Sequence, residues 1–540
     1  MTQFTVTVVD TTGKQNYIFS SNRLRENIGA SFLLSQATKE WVEETLVKLE
    51  VPKKCQEEAI ETSELNAELI YAAGGNALIV FKSRETAVRF THILSKRVLE
   101  EAAGVNLLVA HADFDWQREN LHLIVESLKK NDIERQKYER IPSVPLLGLG
   151  VTASCNSTQL PAVDRSDEYV NYGGEEETDS YLISTETKQK LQAVKEANQK
   201  LQKFFAEVVD QNIYQFPYRT DHLGRSKGES SYAAIVHADG NGMGKRFQKC
   251  GKDAQNNRDY IHRMRKFSKS VDQAGINALK AVASILTKSI QEGKVVGKIG
   301  EFNLNAKYYL PFRPLVYGGD DITFVCEGRL GLELAALFLK KFEEQTVADG
   351  KPLTACAGVC IVKTHYPFAR AYEMSEDLCK EAKKFVKDER KKYGVDYFSA
   401  IDWHLAASGL IGSVSEIRKR EYQIPTNDKP WNLAMRPVRL QNNNSEWRTW
   451  EGFTQVVKEF KEGKDWKERQ NKVMALREVL RKGSIDATKE FLLAYKLPQL
   501  PLFTESSGQR EQLSTDGWLS GECGYFDAIE AMDFYIGLGD

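Results

Sequence analysis

The sequence lacks the features of a membrane-spanning or secreted protein. No apolar stretch approaches the roughly 20 residues that cross a bilayer. The N-terminus, MTQFTVTVVD, has no basic segment followed by an apolar run and a small-residue cleavage site. Charges balance to a net −1, which provides no general argument for nucleic-acid binding. These absences predict a soluble, cytoplasmic chain that does not bind membranes.

Cysteine is scarce, and its spacing excludes two common kinds of site. The eight cysteines include no CxxC pair, so neither a disulfide framework nor a structural zinc is expected. Cys356 and Cys360 lie in the apolar run LTACAGVCIV, where both would face one side of a strand and pack as small hydrophobic residues. The pattern predicts a reducing compartment.

What the sequence does contain is one order of elements that occurs twice. In the first half, the strand QFTVTVVD precedes a helical stretch, two apolar strands around AGGN, a second helix and the strand VNLLVAHADF. In the second half, the same order begins at SYAAIVHAD, passes two strands around GGDD and ends at LTACAGVCIV. Internal duplication of one α/β unit explains this recurrence.

The length of 540 residues exceeds what one hydrophobic core usually serves, so several domains are expected. The first repeat would occupy residues 1–147, and a mostly helical connecting domain with an acidic loop, RSDEYVNYGGEEETDS, residues 148–230. The second repeat would occupy residues 231–400, followed by a helical C-terminal domain over 401–540.

The most informative motif is Gly318-Gly319-Asp320-Asp321, between the apolar runs LVY and ITFVC. Two glycines allow a tight turn and a close approach by a nucleotide. Adjacent carboxylates beside buried strands stay ionised only next to a cation, and such oxygen-rich sites suit Mg²⁺ or Mn²⁺. An exposed hairpin turn is the alternative for this motif alone, and the apolar flanks count against it.

Asp239 ends the strand that precedes the glycine-rich loop GNGMGK. Beside the hairpin, it would join Asp320 and Asp321 in a cluster of three carboxylates that holds two divalent cations. The loop would hold a phosphate with the amides of Gly240, Asn241, Gly242 and Gly244 and the charge of Lys245. A solvated glycine turn is the alternative, since the spacing matches neither GxxxxGK[ST] nor GxGxxG.

Carboxylate-held cations would serve phosphoryl transfer, because they lower the pKa of an attacking 3′-hydroxyl and neutralise a triphosphate and the departing pyrophosphate. The pattern therefore predicts a nucleotidyltransferase or cyclase. Lys383, in EDLCKEAKKF, is a candidate triphosphate contact, with a solvated lysine as the alternative, and Lys384 is equally ambiguous.

The first repeat has lost the hairpin carboxylates. Gly74-Gly75-Asn76-Ala77 stands where the second repeat has its GGDD motif, and Asp10 stands where the second has Asp239. Because Asn and Ala would bind a divalent metal poorly, the first repeat is expected to act as a scaffold or to contribute a second nucleotide pocket.

These motifs carry a resemblance to a known family. GGDD with its flanks, HADGNGMGK, and DTTGKQNYIFSSNRLRENIGASFLLS with its GAS-x-LLS segment are similar to the large polymerase-like subunit of type III CRISPR effector complexes and to related stand-alone palm-domain synthases of cyclic nucleotides. The degenerate GGNA agrees, since the family carries one inactive and one active palm. The resemblance covers residues 1 to about 400. It implies an α+β fold with two ferredoxin-like palm domains of the cyclase and polymerase type, plus helical domains.

The resemblance also implies an activity and its residues. The family's second palm converts ATP, with Mg²⁺ or Mn²⁺, into cyclic oligonucleotide second messengers of antiviral defence. Carried over, Asp239, Asp320 and Asp321 would be the metal carboxylates, and Gly318 and Gly319 would approach the nucleotide. Lys383 would contact the triphosphate, and Ser31 of the GAS segment would contact a base or ribose.

Departures from the family keep alternatives open. No His-Asp dipeptide occurs, so the frequent nuclease activity is not expected, and of the zinc cysteines between the palms only Cys155 remains. Asn241 stands where many relatives have a second Asp. The main alternative is a non-catalytic scaffold subunit of an RNA-guided complex, with RNA, CRISPR effector subunits or a second copy of the chain as partners. A template-dependent polymerase is less favoured, since no basic, aromatic-rich stripe is evident.

Overall fold

The computed structural model describes residues 3–139, 150–169, 180–223, 231–304, 308–406, 412–427, 429–441, 447–503 and 508–539. Most of the predicted acidic loop, residues 170–179, lies outside them. No helix in the described part of the chain is long and apolar enough to span a bilayer.

The first palm is a four-stranded antiparallel sheet with helices on both faces. Its strands are β1 (Gln3–Thr12), β2 (Ala67–Ala73), β3 (Asn76–Phe81) and β4 (Asn106–Asp115), in the order β2-β3-β1-β4. Its helices are α1 (Lys14–Phe19), α2 (Leu24–Ser35), α3 (Trp41–Lys48), α4 (Arg84–Glu101), α5 (Leu121–Ser127) and α6 (Glu134–Glu139). Pi-helical turns precede α3 and α6 at Gln36–Glu40 and Leu128–Ile133.

The connecting segment contains two short strands and one long helix. They are β5 (Asp164–Arg165), β6 (Leu182–Ile183) and α7 (Thr185–Phe205). The Ser184 side chain caps α7 by accepting a hydrogen bond from the Thr187 amide. Helix α7 packs against α2 and so joins this segment to the first palm.

The second palm repeats the topology of the first. Its elements are β7 (Tyr232–Gly240), α8 (Met243–Lys252), α9 (Asn257–Lys288), β8 (Ile290–Gln291), β9 (Lys294–Val296), β10 (Glu301–Asn303), β11 (Phe312–Val316), β12 (Asp321–Glu327), α10 (Gly331–Glu343), β13 (Ala355–Lys363), α11 (Phe368–Tyr393) and β14 (Ala400–Ala406). The sheet begins β11-β12-β7-β13, the same order as β2-β3-β1-β4. The predicted α+β class and the internal duplication are confirmed.

Strand β14 falls beyond the predicted palm boundary at residue 400. It pairs in parallel with β13 from Cys356–Ala400 to Val362–Ala406, and so extends the sheet. The long helix α11 makes this parallel return possible: Pro367 precedes it, and Gly394 ends it in the left-handed conformation at φ 67°. The run AIDWHLA lies far in sequence from its partner strand, so its place in this sheet follows from the pairing with β13.

The C-terminal region mixes helices with short strands. They are α12 (Val414–Glu421), β15 (Gln423–Ile424), β16 (Trp431–Asn432), β17 (Val438–Arg439), α13 (Trp450–Glu462), α14 (Gln470–Leu480), α15 (Ile485–Ala494), α16 (Gly508–Asp516), β18 (Trp518–Leu519), β19 (Glu522–Cys523) and α17 (Phe526–Ala531). The region shares one core with the second palm: Trp403 of β14 packs on Phe453, and Tyr535 donates to Glu333 of α10 at 2.7 Å. The region therefore combines helices with short strands and packs against the second palm.

Gly29 of the GAS segment marks a close approach between α2 and α7. A Cβ atom at this position would lie 1.8 Å from the Lys190 carbonyl oxygen. We therefore expect Gly29→Ala to force the helices apart and to lower the free energy of unfolding by about 1–3 kcal/mol in urea titrations. Gly244→Ala is the matched control, because no atom lies within 4 Å of its Cβ position. Equal midpoints for the two variants would contradict this packing argument.

Candidate functional site

The site is built where β7 and β12 end beside each other. Asp239 lies directly opposite Asp321 in this antiparallel pair, and the Gly240 amide donates to the Asp320 carbonyl at 3.0 Å. Residues directly opposite each other in such a pair project from the same face, with their Cβ atoms about 5 Å apart. The fold therefore brings the Asp239 and Asp321 side chains together from positions 82 residues apart.

Asp320 belongs to the turn itself. A Cβ on Gly240 would lie 2.7 Å from the Asp320 Cβ and 2.9 Å from its Oδ2 atom, so only glycine at position 240 leaves room for this carboxylate. Gly318 and Gly319 have φ angles of 129° and 76°, which explains why the turn needs two glycines. The GGDD motif is a buried-strand hairpin as predicted, and its turn faces two clefts.

The carboxylates at this hairpin are crowded. Desolvation, reinforced by the Asp239 charge, raises the pKa of Asp320 to about 6 and the pKa of Asp321 to about 7. Lys14 and Lys383 oppose the rise at Asp321. The Asp321 side chain is 53% exposed, but it opens onto a cleft between the palms and not onto a convex surface. A bound cation would relieve this repulsion.

Lys383 of α11 contacts the first of these carboxylates. Its ammonium group forms an ion pair with Asp239 Oδ2 and donates to the Gly240 carbonyl oxygen at 3.1 Å. Although burial lowers the pKa of Lys383, the Asp239 charge and hydrogen bond raise it above its ordinary value. The solvated alternative is thus wrong for Lys383, whereas Lys384 is 67% exposed.

Three nearby residues had no place in the sequence prediction. His237, two residues before Asp239, is buried, and its Nδ1 atom lies 3.6 Å from Asp321 Oδ1 and 3.2 Å from Thr323 Oγ1. Asp272 of α9 accepts the Gly319 amide hydrogen bond at 3.0 Å. Lys14, from the first palm, lies in the cleft beside Asp321. Side chains alternate between the two faces of β7, so His237 could have been predicted to lie on the same face as Asp239. No pattern in the sequence places Asp272 or Lys14 near the site.

Two clefts between the palms flank the hairpin. The first, of about 200 Å³, contains Asp321 and the predicted Ser31, whose hydroxyl donates to the Leu315 carbonyl. Its charged lining residues are Lys14, Lys39, Lys200, Asp272, Arg313 and Asp321. The second, of about 590 Å³, contains Asp320 together with Gly74 of the degenerate hairpin. Both cavities therefore combine residues of the two palms.

The predicted phosphate loop is only partly open to a ligand. The Gly240 amide donates to Asp320 and the Asn241 amide donates to the Thr354 carbonyl at 2.8 Å, so these two amides do not belong to the predicted cradle. The Asn241 side chain is buried and donates to the Phe398 carbonyl at 3.0 Å, which is a structural role. Gly242 adopts φ 66° before α8, whose first turn contains Gly244 and an exposed Lys245. A phosphate contact by these three residues stays a prediction.

In the first palm, the residue opposite Asp10 differs from the one obtained by aligning the glycines of GGNA with those of GGDD. Asp10 and Asp239 each lie three residues before a left-handed glycine that precedes a helix. Val9 pairs with Ala77, so continuing the register places Asn76 opposite Asp10, as Asp321 is opposite Asp239. The equivalent of Asp321 is therefore Asn76 and not Ala77.

Asp10 is already neutralised by lysines. Its Oδ2 atom lies 3.1 Å from Lys137 Nζ, and its Oδ1 atom lies 3.5 Å from Lys14 Nζ. Lys137 follows β4 as Lys383 follows β13, so both palms keep an Asp–Lys pair while only the second keeps hairpin carboxylates. This supports the prediction that the first palm binds metal poorly.

The donors of the second palm suit Mg²⁺ or Mn²⁺ by their chemistry. Within the described ranges, no three His, Cys, Asp or Glu side chains are arranged to close around one ion. Mg²⁺ is usually held by one or two carboxylates together with substrate phosphates. Asp239 and Asp321, with Asp320 beside them, fit that pattern.

Comparisons with known proteins agree with this architecture. Residues 232–392 match the model of the Cas10/Cmr2 second palm domain. Among solved structures, the chain is similar to Csm1 of T.onnurineus (13% identity, TM-score 0.52, 98% of this chain and 70% of that one). It is also similar to Csm1–Csm4 cassettes in complex with cA4 (14%, 0.51) and AMPPNP (13%, 0.51), in each case over 98% of this chain and 69% of that one. No curated protein matches the chain.

The fold and the site thus define a protein of two palm domains, of which the second retains the acidic hairpin. More particularly, residues 232–392 match the Cas10/Cmr2 second palm domain, and the chain as a whole is similar in fold to Csm1. The predicted resemblance is confirmed. At 13–14% identity, the solved structures show the fold alone.

The raised pKa values predict how pH acts on stability. The folded protein keeps protons that the unfolded chain loses above pH 3.8, so stability falls as pH rises towards the folded pKa values of about 6 and 7. In EDTA, we expect Asp321→Asn to melt at a higher temperature than wild type at pH 8 and at the same temperature at pH 4. Thermal melts across this range test the prediction, and an equal difference at both pH values would contradict it.

Proposed function

We propose that the chain is a metal-dependent nucleotidyltransferase that joins and cyclises ATP, or another NTP, into a cyclic di- or oligonucleotide. The observation that carries the proposal is the direct cross-strand pairing of Asp239 with Asp321 beside a two-glycine turn, at the mouth of clefts shared by both palms. An antiviral second messenger is the role that the Cas10-like fold supports.

Each residue has a distinct part in this proposal. Asp239 and Asp321, assisted by Asp320, would hold Mg²⁺ or Mn²⁺, which supplies charge neutralisation at the reacting phosphate and a lowered pKa for the attacking 3′-hydroxyl. Gly318 and Gly319 leave the main chain accessible, because no Cβ stands between it and the nucleotide. Ser31 lines the first cleft and contributes from the opposite palm.

Lys383 acts as the internal counter-cation of Asp239 before substrate arrives. Asp239 would hold a divalent ion in place of this ammonium group, and Lys383 would then be available to contact the triphosphate. The side chain is 31% exposed and long enough to change partners without movement of α11. The proposal therefore assigns Lys383 both to charge balance and to substrate binding.

The basic lining of the first cleft supports an anionic ligand. Four cationic residues and two acidic residues line the cleft. Arg313 is the most informative of the four: it is fully buried, its Nη1 atom donates to Asn198 Oδ1 at 2.9 Å, and its Nε atom has no hydrogen-bond partner. Burial lowers the pKa of Arg313 to about 10, and its Nη1 atom also donates to the Pro217 carbonyl oxygen at 3.0 Å, so Arg313 lies behind the cleft wall.

The second candidate function is a scaffold subunit whose second palm does not catalyse a reaction. It is favoured by the solved structures of Csm1–Csm4 cassettes, in which the similar chain is assembled with another subunit. Isolation of the tagged chain from its host separates the two cases, because a scaffold co-purifies with subunits and guide RNA whether or not nucleotides are consumed.

The test of the enzymatic proposal is product formation from purified chain. Each NTP is supplied with Mn²⁺ or Mg²⁺, alone and with RNA or phage extract, and products are resolved by mass spectrometry while pyrophosphate is measured. The Asp320→Asn/Asp321→Asn double variant is the control. If neither product nor pyrophosphate exceeds the level of the control under any condition, the proposal is wrong.

A further inference from the structure

The turn of the GGDD hairpin has more backbone freedom than the paired strands on either side of it. The turn contains Gly318 and Gly319, both at positive φ, and glycine has the greatest backbone freedom of any residue. Asp320 and Asp321 follow directly. Strand β7 restrains these two residues, through the Gly240 amide at the Asp320 carbonyl and through the pairing of Asp321 with Asp239, but it leaves the two glycines to be restrained by another element.

Helix α9 supplies that restraint. Asp272 Oδ1 accepts the hydrogen bond of the Gly319 amide at 3.0 Å. One turn later, a Cβ on Gly275 would lie 2.4 Å from the Gly319 carbonyl oxygen, so the helix can pass this close only because residue 275 is glycine. The amide and the carbonyl oxygen of Gly319 therefore both lie against the same face of α9.

The same face of α9 is tied to the first palm. Arg258, Arg265 and Asp272 are spaced by seven residues, which is about two helical turns. Arg258 and Arg265 both donate to the fully buried Glu68 of β2, at 2.6 and 2.8 Å. Asp272 Oδ2 in turn lies 3.7 Å from Lys39 Nζ. One rigid helix thus connects the first palm to the catalytic turn.

We propose that Asp272 is a positioning residue for the nucleotidyl transfer proposed above, on which this inference rests. One oxygen of its carboxylate holds the Gly319 amide, and the other faces Lys39 of the first palm. The degenerate palm thereby contributes to catalysis by fixing the geometry of the active hairpin, in addition to lining the clefts.

The test compares Asp272→Ala, Asp272→Asn and Gln273→Ala in the full chain. Asp272→Ala loses the acceptor, and a shift of about 1 Å at a reacting group costs up to about 100-fold in rate, so we expect kcat to fall about 10- to 100-fold with KM for ATP changed less than about 3-fold. Asp272→Asn keeps an acceptor oxygen for the Gly319 amide and stays within about 3-fold of wild type. Gln273 is exposed on α9, and its replacement leaves both constants unchanged.

Hydrogen exchange provides a readout that does not depend on activity. The peptide spanning the turn exchanges faster in Asp272→Ala than in wild type or Asp272→Asn, because the Gly319 amide has lost its partner. Unchanged exchange and unchanged kcat in Asp272→Ala would overturn the inference. So would an Asp272→Asn variant as impaired as Asp272→Ala, since that result assigns the carboxylate a charge role. A wild-type chain that forms no product refutes the proposed function, while the exchange experiment still tests the contact.

Discussion

Asp239→Asn and Asp321→Asn are each expected to reduce nucleotidyl transfer at least about 100-fold without unfolding the chain. Replacing a partner that merely orients a metal ligand costs about 10- to 100-fold, so replacing a ligand costs no less. Asparagine preserves shape and can accept the hydrogen bond from Lys383, so the strand pairing of β7 with β12 is kept. Initial rates of pyrophosphate release with saturating ATP and Mn²⁺ provide the measurement.

The chain offers its own matched control for this experiment. Asp10 occupies the equivalent strand position in the first palm, where Asn76 and two lysines replace the metal environment. Asp10→Asn is therefore expected to change the rate less than about 3-fold, since exposed or half-buried ion pairs contribute little. If Asp10→Asn lowers the rate as much as Asp239→Asn or Asp321→Asn does, the first palm is also catalytic. If none of the three variants lowers the rate, these carboxylates have no role in catalysis.

Asp527→Ala is expected to lower the free energy of unfolding by about 3–5 kcal/mol. Asp527 and Arg436 are both fully buried, and they form an ion pair at 2.6 Å. The second carboxylate oxygen accepts hydrogen bonds from the Met435 amide at 2.7 Å and the Arg436 amide at 3.1 Å. Removal of the carboxylate therefore leaves a buried guanidinium and two buried amides without their partner.

Urea unfolding followed by tryptophan fluorescence measures this effect. Trp403 packs within the same core, so its emission reports on the region. Glu421→Ala is the control, because Glu421 pairs with Arg420 at the surface, where the side chains are 40% and 52% exposed. Its effect should stay below about 1 kcal/mol. If Asp527→Ala shifts the midpoint no further than this control, the buried pair does not stabilise the region.

The element types were predictable because each depends on neighbouring residues. The strands around GGDD and the helices α7 and α11 appear within a few residues of their predicted positions, since alternation and helical periodicity are local patterns. Strand β14 was missed because AIDWHLA becomes a strand by pairing with β13, about 40 residues earlier. The sequence comparison aligned the two hairpins by their glycines. It therefore missed that Asn76 lies opposite Asp10, because an alignment of glycines does not show which residues face each other across the strands.

The residues of the candidate site were likewise only partly predictable from local sequence. Asp239, Asp320 and Asp321 could be grouped from the sequence because they lie at strand ends in one repeat. The structure places Asp321 opposite Asp239, and their role as metal ligands stays a prediction. Lys383 was ambiguous, since its partner Asp239 lies 144 residues away. Asp272 could not be found, because it is one polar residue on a long amphipathic helix, and only packing shows that it meets the Gly319 amide.

The sequence alone determined the duplication, the loss of hairpin carboxylates from one copy and their retention in the other. These properties depend only on residue types and on short-range spacing. Only the tertiary structure decided which lysines pair with which carboxylates, which loop amides already have hydrogen-bond partners and how the first palm reaches the GGDD turn. Those contacts join residues far apart in the chain, and their partners are selected by the packing of one palm on the other.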